Sequence, residues 1–351
     1  MATTKAWGTE GADQSLKPMM IERRDLRPDD VAIRISHCGI CHSDLHQARN
    51  DWGGSTYPMV PGHEIVGTVT AVGSDVRDFH QGDKVAVGCL VDSCQQCPEC
   101  LEGNEQFCRE GLVGTYNAKD RQDGSTTQGG YSSDIVVRRE FVLRLPDELD
   151  ISRAAPLLCA GITTYSPLKK YKVGPGKKVG VAGLGGLGHM GVKIAKALGA
   201  EVTMITTSPE KGADARELGA DHVLISTDID AMEAAGGSFD FILDTIPVAH
   251  DVQPYLSLLR ANGNMVVVGA IEPLPSVHGG LLVMGNRGLS GSLIGGIAET
   301  QEMLDFCAEH GVLPEIETIR MDEVNEAYQR MEKGDVRYRF VIDMSSLDSA
   351  A

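Results

Sequence analysis

The chain has 351 residues, of which 42% are hydrophobic and 23% are charged, and its formal net charge is −17. This composition is ordinary for a globular protein of about two domains, and the negative charge disfavours nucleic acid and anionic membranes as partners. Residues 1–10 lack a basic start and an apolar segment, and no run of about 18 or more apolar residues follows. We therefore expect a cytoplasmic chain, whose nine cysteines are metal ligands more often than disulfide partners.

A predicted strand leads to the first cysteine pair. Residues 31–36 alternate apolar and polar side chains, as a half-buried strand does. Cys38 and Cys41 follow as a CxxC pair, for which a redox dithiol is one interpretation. Because His-Ser-Asp comes next without a thioredoxin-like context, we interpret Cys38 as a small buried residue and Cys41 as a candidate metal ligand.

Two further residues can complete a three-ligand set with Cys41. His63 lies beside Glu64 in a predicted loop that enters a strand, so the imidazole can bind a metal while the carboxylate acts next to it. Cys159 lies near the predicted start of a helix, and on its own it would be interpreted as a core residue. Two thiolates and one imidazole, with the fourth position open, make a catalytic zinc site. We expect Cys41, His63 and Cys159 to bind that zinc.

Four more cysteines form a compact array with the spacing C-x2-C-x2-C-x7-C: Cys94, Cys97, Cys100 and Cys108. Four thiolates can enclose one structural Zn²⁺ without an open position, and an iron–sulfur cluster is the main alternative. A zinc-ribbon module for nucleic acid would use similar cysteines, but three neighbouring acidic residues argue against it: Glu99, Glu102 and Glu105. We expect a structural zinc that stabilises a loop.

The second half contains a dinucleotide-binding motif in its required context. A short apolar strand at 178–183 leads into Gly-Leu-Gly-Gly-Leu-Gly, a helical run at 189–198 and a second strand at 199–205. The glycines permit a tight turn and close approach of the backbone to a pyrophosphate at the helix N-terminus. The predicted cofactor-binding residues of this turn are Gly183, Gly185, Gly186, Leu187 and Gly188.

The end of the second strand indicates NADP(H) rather than NAD(H). An NAD site usually has an acidic residue here to bind the ribose 2′-hydroxyl. This chain instead has Thr206, Thr207 and Ser208, followed by Lys211. Hydroxyl groups and a lysine suit a 2′-phosphate. The alternative for Lys211 is a solvated residue at the start of a helix.

Later segments continue an alternation of strands and helices, which predicts a parallel, doubly wound sheet. The predicted strands are 239–244, 264–269 and a closing strand at 338–342; the predicted helices are 253–260, 298–310 and 321–332. Strands at 67–73 and 83–87 make the first part β-rich. We expect one domain from residues 1–152 and 293–351, and a nucleotide-binding domain from residues 153–292.

Together these motifs resemble the zinc-dependent medium-chain dehydrogenase/reductases, and within them the cinnamyl alcohol dehydrogenase group and its bacterial NADP-dependent broad-range aldehyde reductases. The resemblance extends over essentially the whole chain. It rests on Cys-Gly-Ile-Cys-His-Ser-Asp-Leu-His, Tyr-Pro-Met-Val-Pro-Gly-His-Glu, the four cysteines, Leu-Leu-Cys-Ala-Gly-Ile-Thr-Thr-Tyr, the glycine motif and the terminal Tyr-Arg-Phe-Val-Ile-Asp. It implies an α/β fold: a GroES-like β-rich catalytic domain, formed by both ends of the chain, and an inserted Rossmann domain.

The resemblance also implies roles for individual residues. Asp44 would orient the histidine ligand, and Glu64 would approach the metal transiently. Ser43 and His46 would relay a proton through the cofactor ribose, although packing or capping roles are the alternative. Further cofactor contacts are expected from His42, Thr163, Val268, Gly269 and Ser292. A homodimer through a sheet edge near residues 281–291 is also expected.

The expected reaction is hydride transfer between NADPH and an aldehyde, with two zinc ions per chain and zinc acting as a Lewis acid. Trp52, Met59, Tyr116 and Ile294 are candidates for an apolar pocket, although each alone is more often core. Such a pocket would accept a broad range of aromatic and aliphatic aldehydes. The alternatives are an NAD-dependent zinc polyol or secondary-alcohol dehydrogenase, and a zinc-ribbon binding module without turnover.

Overall fold

The computed structural model describes residues 2–269 and 271–349. The chain forms two compact units, one from Met1–Cys159 with Gly295–Ala351 and the other from Ala160–Ile294. The expected boundaries at 152/153 and 292/293 lie a few residues before these divisions. Each unit is built from a different kind of sheet.

The first stretch of the chain is rich in β-strands, as predicted. Its strands are β1 (Ala2–Gly8), β2 (Lys17–Arg23), β3 (Asp30–Ile40), β4 (Ile65–Val72), β5 (Lys84–Val87), β6 (Leu90–Asp92), β7 (Val113–Gly114), β8 (Asp134–Arg138) and β9 (Leu143–Arg144). Its α-helices are α1 (His42–Ala48), α2 (Pro98–Leu101) and α3 (Ile151–Ala154), and 3-10 helices occupy Glu105–Phe107, Arg139–Phe141 and Ala155–Leu158. Cys38 is fully buried on β3, which confirms its interpretation as a small core residue.

The second unit alternates strands and helices around one parallel sheet. Its elements are α4 (Ala160–Lys170), β10 (Lys178–Ala182), α5 (Gly188–Ala197), β11 (Glu201–Thr206), α6 (Lys211–Glu217), β12 (His222–Ile225), α7 (Ile229–Ala234), β13 (Phe239–Asp244), α8 (Gln253–Leu258), β14 (Leu259–Val267), α9 (Gly279–Val283) and β15 (Gly288–Gly291). All neighbouring strands are parallel, in the order β12-β11-β10-β13-β14-β15. This is the strand order of a Rossmann sheet, so the predicted doubly wound architecture is confirmed.

One helix boundary in this unit was predicted wrongly. The helix predicted at 253–260 ends at Leu258, and β14 starts at Leu259 rather than at Asn264. Leu259 pairs with Phe239 of β13 and is fully buried in the apolar cluster on that side of the sheet. Residues 259–263 have no strand-like alternation of apolar and polar side chains. Strand pairing and burial of Leu259 therefore decide that they are extended.

The chain then returns to the first unit. The returning elements are α10 (Ile297–His310), β16 (Ile316–Ile319), α11 (Val324–Glu332) and β17 (Arg339–Asp343), with 3-10 helices at Met321–Glu323 and Met344–Asp348. The predicted helix at 321–332 thus begins with a 3-10 turn. β17 pairs antiparallel with β3 in a sheet ordered β16-β17-β3-β4-β5-β9, with β8 also on β3. The C-terminal segment therefore completes the β-rich unit, as expected.

The helices are short in the part of the chain that the structure describes. The longest, α10, has 14 residues. No helix among residues 2–269 and 271–349 combines the length and the apolar character needed to cross a bilayer.

Candidate active site and zinc centres

Four buried groups of the first unit meet at one point. Ligand atoms of Cys41, His63, Glu64 and Cys159 all lie within 4.8 Å of one another. The sulfur atoms of the two cysteines are 3.9 Å apart. Two thiolates bound to one tetrahedral zinc at about 2.3 Å each would be separated by about 3.8 Å. The two cysteines and the histidine therefore fit a zinc ion, with the carboxylate beside them.

The antiparallel pairing of β3 with β4 brings these groups together. Cys41 follows β3 and is the N-cap of α1, while His63 and Glu64 immediately precede β4. Cys159 lies between the 3-10 helix Ala155–Leu158 and α4. The helix predicted around this cysteine is thus divided, and the break turns the thiol toward the other ligands.

Asp44 orients the imidazole of His63. The carboxylate is fully buried, and its Oδ1 accepts a hydrogen bond from Nδ1 of His63 at 3.0 Å, which leaves Nε2 for a metal. The backbone N–H groups of Cys41 and Gly62 donate to the same carboxylate at 2.9 and 3.0 Å. Burial alone would lower the pKa of His63, but the negative charge of Asp44 raises it well above its ordinary value. The carboxylate therefore favours positive charge at this imidazole, as a bound metal supplies.

Glu64 is fully buried and forms an ion pair with Arg339 of β17. Burial raises the pKa of Glu64 to about 7, although the charge of Arg339 opposes this shift. Its Oε2 has no hydrogen-bond partner among the described residues. A Cβ at Gly39 would overlap that oxygen, so glycine is required at this point of β3. An unpartnered buried carboxylate oxygen beside three ligands is suited to approach a cation.

One face of α1 carries a hydroxyl and an imidazole next to this cluster. Ser43 Oγ lies 3.6 Å from the sulfur of Cys41. His46 is three residues further and thus on the same helix face. Its Nδ1 lies 2.8 Å from Oδ2 of Asp51, and its ring centroid lies 5.3 Å from that of Trp52. A carboxylate therefore holds the imidazole expected at the end of the proton relay.

The four-cysteine array closes on itself in the loop around α2. Ligand atoms of Cys94, Cys97, Cys100 and Cys108 lie within 4.8 Å of one another, and two of the sulfur–sulfur distances are 3.9 and 3.5 Å. The backbone N–H groups of Cys97 and Cys94 point to the sulfurs of Cys94 and Cys108 at 3.3 and 3.4 Å. All nine cysteines are free thiols. This geometry fits a closed, four-thiolate zinc site.

The glycine-rich turn of the second unit lies between β10 and α5. Gly183 has a φ of +90°, and a Cβ at Gly188 would overlap the carbonyl oxygen of Gly183. A Cβ at Gly185 would meet no described atom within 4 Å, so the backbone has an open face there. Gly186 and Leu187 complete the turn before α5 begins at Gly188. An open backbone turn at a helix N-terminus is the arrangement that binds a pyrophosphate.

The tip of β11 presents the predicted hydroxyl groups. Thr206 ends the strand, and its Oγ1 accepts a hydrogen bond from the backbone N–H of Ser208 at 3.2 Å. Thr207 is exposed. The ammonium of Lys211 donates to the carbonyl oxygen of Leu184 in the glycine-rich turn at 3.3 Å. Lys211 is the exposed first residue of α6, and its ammonium nevertheless contacts the turn.

The remaining predicted residues are placed as follows. Thr163 is buried on α4, Val268 and Gly269 follow β14, Ser292 follows β15, and His42 is exposed at the start of α1. Tyr116 lies against the metal cluster, with its ring centroid 6.0 Å from that of His63. Met59 is fully buried and its backbone pairs with Thr9, whereas Ile294 is half-buried with a φ of +35°.

Comparison with known proteins identifies the family. Residues 27–147 match the alcohol dehydrogenase GroES-like domain, and residues 186–309 match the family described as zinc-binding dehydrogenase. The chain is 54% identical to the aldehyde reductase YahK of Escherichia coli, over 98% of this chain and 99% of that protein. The chain belongs to the zinc-binding alcohol dehydrogenase family.

Solved structures agree with this dehydrogenase fold. A cinnamyl alcohol dehydrogenase of Sorghum bicolor matches with a TM-score of 0.95 and 47% identity, over 98% of both chains. A CAD of Helicobacter pylori, solved in complex with NADP(H), matches with a TM-score of 0.91 and 43% identity, again over 98% of both chains. The predicted family and the predicted GroES-like plus Rossmann fold class are therefore confirmed, and the chain is an oxidoreductase of that family.

The structure of this dehydrogenase gives roles to residues for which the sequence analysis predicted none. Asp51, Arg339 and Gly39 contact predicted site residues, as described above. Cys89 is a further thiol at the cluster: its hydrogen bond with Cys159 lowers its pKa. A charged residue inside the apolar closing strand was the one available signal for Arg339. Nothing in the sequence pointed to the contacts of Gly39 and Cys89, because these contacts depend on how the strands pair.

Proposed function

We propose that this dehydrogenase reduces aromatic and aliphatic aldehydes to primary alcohols with NADPH, and catalyses the reverse oxidation with NADP⁺. The observation that carries the proposal is the buried Cys41–Cys159 pair, 3.9 Å between sulfurs, with an oriented His63 beside it. The relatives support the substrate class, because one is named an aldehyde reductase and another a cinnamyl alcohol dehydrogenase.

The residues of the first unit divide the chemistry among them. Cys41, His63 and Cys159 would hold zinc, which when bound supplies a Lewis acid that polarises a carbonyl group. A serine hydroxyl can donate and accept at once, so Ser43 beside the cluster can pass a proton. His46 can take part in the transfer to solvent, because Asp51 engages its Nδ1 and leaves Nε2 available.

The tip of β11 supports the choice of NADP(H). Thr206, Thr207 and Ser208 supply hydroxyl groups, and Lys211 supplies a cation at the glycine-rich turn. The Ser208 hydroxyl donates to a carboxylate oxygen of Glu210 at 3.4 Å, so Glu210 competes for that hydroxyl. The Helicobacter pylori relative was solved with NADP(H). An NAD-dependent polyol or secondary-alcohol dehydrogenase is the alternative that cofactor kinetics would reveal.

The pocket for the substrate would be apolar. Trp52 and Tyr116 lie against the two imidazoles of the site, at ring-centroid distances of 5.3 Å from His46 and 6.0 Å from His63. Met59 and Ile294 are the other proposed lining residues. Apolar pockets discriminate weakly between similar side chains, so we propose a broad substrate range.

Zinc content and turnover, measured on the same samples, test the proposal. The wild-type chain should contain about two zinc ions by the two-site argument, and Cys159→Ala should retain only the four-cysteine zinc and lose NADPH-dependent reduction of benzaldehyde. Cys307→Ala is the matched control, because Cys307 is a buried thiol of α10 that contacts Met303. Full activity in Cys159→Ala would refute the zinc argument, and equal rates with NADH would refute the cofactor choice.

We also propose a homodimer formed through the edge of the second unit. β15 pairs only with β14 among the described strands, and Val283 and Met284 are 79% and 89% exposed just before it. Sedimentation should give a dimer for the wild-type chain and a monomer for Met284→Asp. Ile229→Asp is the control, because this residue is 72% exposed and lies on α7. A wild-type monomer would contradict this part of the proposal.

We place the dehydrogenase in the cytoplasm as part of the same proposal. Six cysteines would serve the two zinc sites, and zinc ligation requires reduced thiolates. A reducing compartment maintains them. Fractionation of cells that express the tagged chain tests this placement.

A further inference from the structure

A buried acid–histidine pair of the second unit lies next to the glycine-rich turn. Asp244 is the last residue of β13 and is fully buried, and it pairs in register with Ala182 at the end of β10. The segment that follows Asp244 and the glycine-rich turn that follows Ala182 therefore start at the same edge of the sheet. The hydroxyl of Thr245 lies 2.8 and 2.9 Å from the carbonyl oxygens of Ala182 and Gly183, so this side chain braces the turn.

The segment after β13 packs tightly against three glycines, Gly183 and Gly188 of the turn and Gly269 after β14. A Cβ at Gly188 would lie 3.0 Å from Oγ1 of Thr245, and a Cβ at Gly183 would lie 3.1 Å from Cγ1 of Ile246. On the other side, a Cβ at Gly269 would come within 2.6 Å of the Thr245 backbone. A displacement of Thr245 or Ile246 would therefore change the backbone that is expected to receive the pyrophosphate.

At the end of this segment, residues 245–250, the side chain of His250 contacts Asp244. Its Nε2 lies 3.1 Å from Oδ2 of Asp244, while the other carboxylate oxygen accepts the backbone N–H of Ile246 at 3.1 Å. Nδ1 of His250 lies 2.9 Å from the carbonyl oxygen of Val248. Because a carbonyl can only accept, Nδ1 carries a hydrogen atom.

The pair must hold one extra proton. With Nδ1 protonated, a neutral His250 would direct the lone pair of Nε2 at an ionised Asp244, and the two atoms would repel. Among the described residues neither Nε2 nor Oδ2 has a hydrogen-bond partner, so the 3.1 Å contact between them is a charge contact and not an aligned hydrogen bond. One proton held by the pair removes the repulsion, and burial supports this by raising the pKa of Asp244.

Three ionisable residues in the described part of the chain contact the pair or the segment beside it: Tyr255, Glu272 and Asp251. The Tyr255 ring of α8 meets the His250 ring edge-on at 5.8 Å between centroids. Glu272 accepts the backbone N–H of Ala249 at 3.2 Å, and Asp251 bonds forward to the N–H of Gln253 at 2.9 Å. The carboxylates of Glu272 and Asp251 thus both accept backbone N–H groups. We therefore attribute a local change with pH to the proton held by Asp244 and His250.

We propose that Asp244 and His250 form a one-proton clamp that holds Thr245 and Ile246 against the glycine-rich turn and thereby sets the affinity for NADP(H). The inference rests on the proposed cofactor site. Asp244 and His250 are positioning residues, because they act through the segment between them. Loss of the shared proton at high pH releases the segment and weakens cofactor binding.

Fluorescence titration with NADPH between about pH 6 and about pH 9, the range in which histidines exchange protons, tests the clamp. His250→Ala should raise Kd about tenfold near neutral pH, as expected for the loss of a buried charge contact, and should remove most of the wild-type loss of affinity at high pH. The catalytic constant at saturating NADPH should stay within about twofold, because only ground-state cofactor binding changes.

Asp244→Asn separates proton sharing from simple packing. Its amide can donate to a neutral His250 and still accept the N–H of Ile246, so no extra proton is needed. This variant should bind NADPH as tightly as the wild type near neutral pH and retain that affinity at high pH. If it binds as weakly as His250→Ala, the shared proton is refuted.

His222→Ala is the matched control in the same unit. His222 also lies 3.1 Å from a carboxylate oxygen, that of Glu201, but on the exposed surface. Its Kd values across the pH range also record the titration of NADPH itself and should equal the wild-type values. If the Kd values of His250→Ala equal those of His222→Ala at every pH, the clamp is refuted. If the wild-type chain binds only NADH, the cofactor proposal fails, and the same titrations with NADH still test the clamp.

Discussion

His63 and Asp44 are joined by a buried hydrogen bond of 3.0 Å between Nδ1 and Oδ1. The same carboxylate accepts the backbone N–H of Cys41, so one side chain fixes both the orientation of the imidazole and the turn that presents a thiol. Metal-binding histidines commonly have such a partner, which selects the tautomer and increases the basicity of the ligating nitrogen. Asp44 thus links the start of α1 to the residues before β4.

Asp44→Asn should weaken the catalytic zinc and spare the structural one. The amide retains the size of the side chain but removes its charge, and loss of such a partner lowers metal affinity about 10- to 100-fold. Competition with a chelator should therefore release one zinc ion earlier than in the wild type. Asp51→Asn is the control, because Asp51 is half-exposed and its side chain contacts the imidazole of His46, which is not a predicted zinc ligand. Equal release curves for the two variants would show that Asp44 does not support the metal.

The ion pair of Glu64 with Arg339 predicts a large stability effect. Both side chains are buried, and Arg339→Leu would leave the carboxylate without its cation, which costs about 3–5 kcal/mol of unfolding free energy. Chemical denaturation of the zinc-loaded protein measures this loss. The additional change Glu64→Gln should restore part of the stability, because it removes the uncompensated charge.

A surface pair provides the comparison for this prediction. Arg49 and Glu332 form a two-point ion pair in which both side chains are about two-fifths exposed. Arg49→Leu should cost about 1 kcal/mol or less, since solvent screens exposed pairs. Equal costs for the two arginine variants would contradict the interpretation of Arg339 as the buried partner of Glu64.

Gly39→Ala should perturb the active site although the substitution is small. The new methyl group would overlap the Glu64 carboxylate, so either β3 or this side chain must shift. We expect a loss of about 1–3 kcal/mol in unfolding free energy, as for other overpacked cores, together with reduced zinc content. Gly279→Ala is the control, because a Cβ there would meet no described atom within 4 Å. Normal zinc content and stability in Gly39→Ala would refute this prediction.

Local sequence patterns were sufficient to predict most of the fold. The strand, glycine motif and helix around Gly183–Gly188 are contiguous, and the four-cysteine array lies within residues 94–108, so spacing alone indicates both. Their predicted positions agree with the structure because each feature is completed by neighbouring residues. The end of α8 differed, since pairing of Leu259 with β13 overrides its local pattern.

Contacts between distant residues could not be predicted in the same way. Arg339 and Glu64 are 275 residues apart, and their meeting depends on the pairing of β17 with β3. No periodicity in the sequence specifies that pairing. The close approach of Glu64 to Gly39 has the same origin, because it requires β3 and β4 to be in register. Residue types indicated the zinc ligands and the resemblance indicated Asp44, whereas the structure was needed to find Arg339 and Gly39 beside Glu64.

The contact between His46 and Asp51 yields the last prediction. Asp51 engages Nδ1 of His46 at 2.8 Å, so Asp51→Asn should weaken the preference for the form in which Nε2 can accept a proton. We expect turnover to fall about tenfold or more, and His46→Gln to cause a loss of about 100-fold, which is within the range of general acid–base catalysis. The Kd for NADPH should stay nearly constant in both variants. Because the two residues would act as one unit, the double variant should be no slower than His46→Gln alone. Stopped-flow rates of benzaldehyde reduction measure the effect on the chemical step, and multiplicative losses in the double variant would mean that Asp51 acts independently of the imidazole.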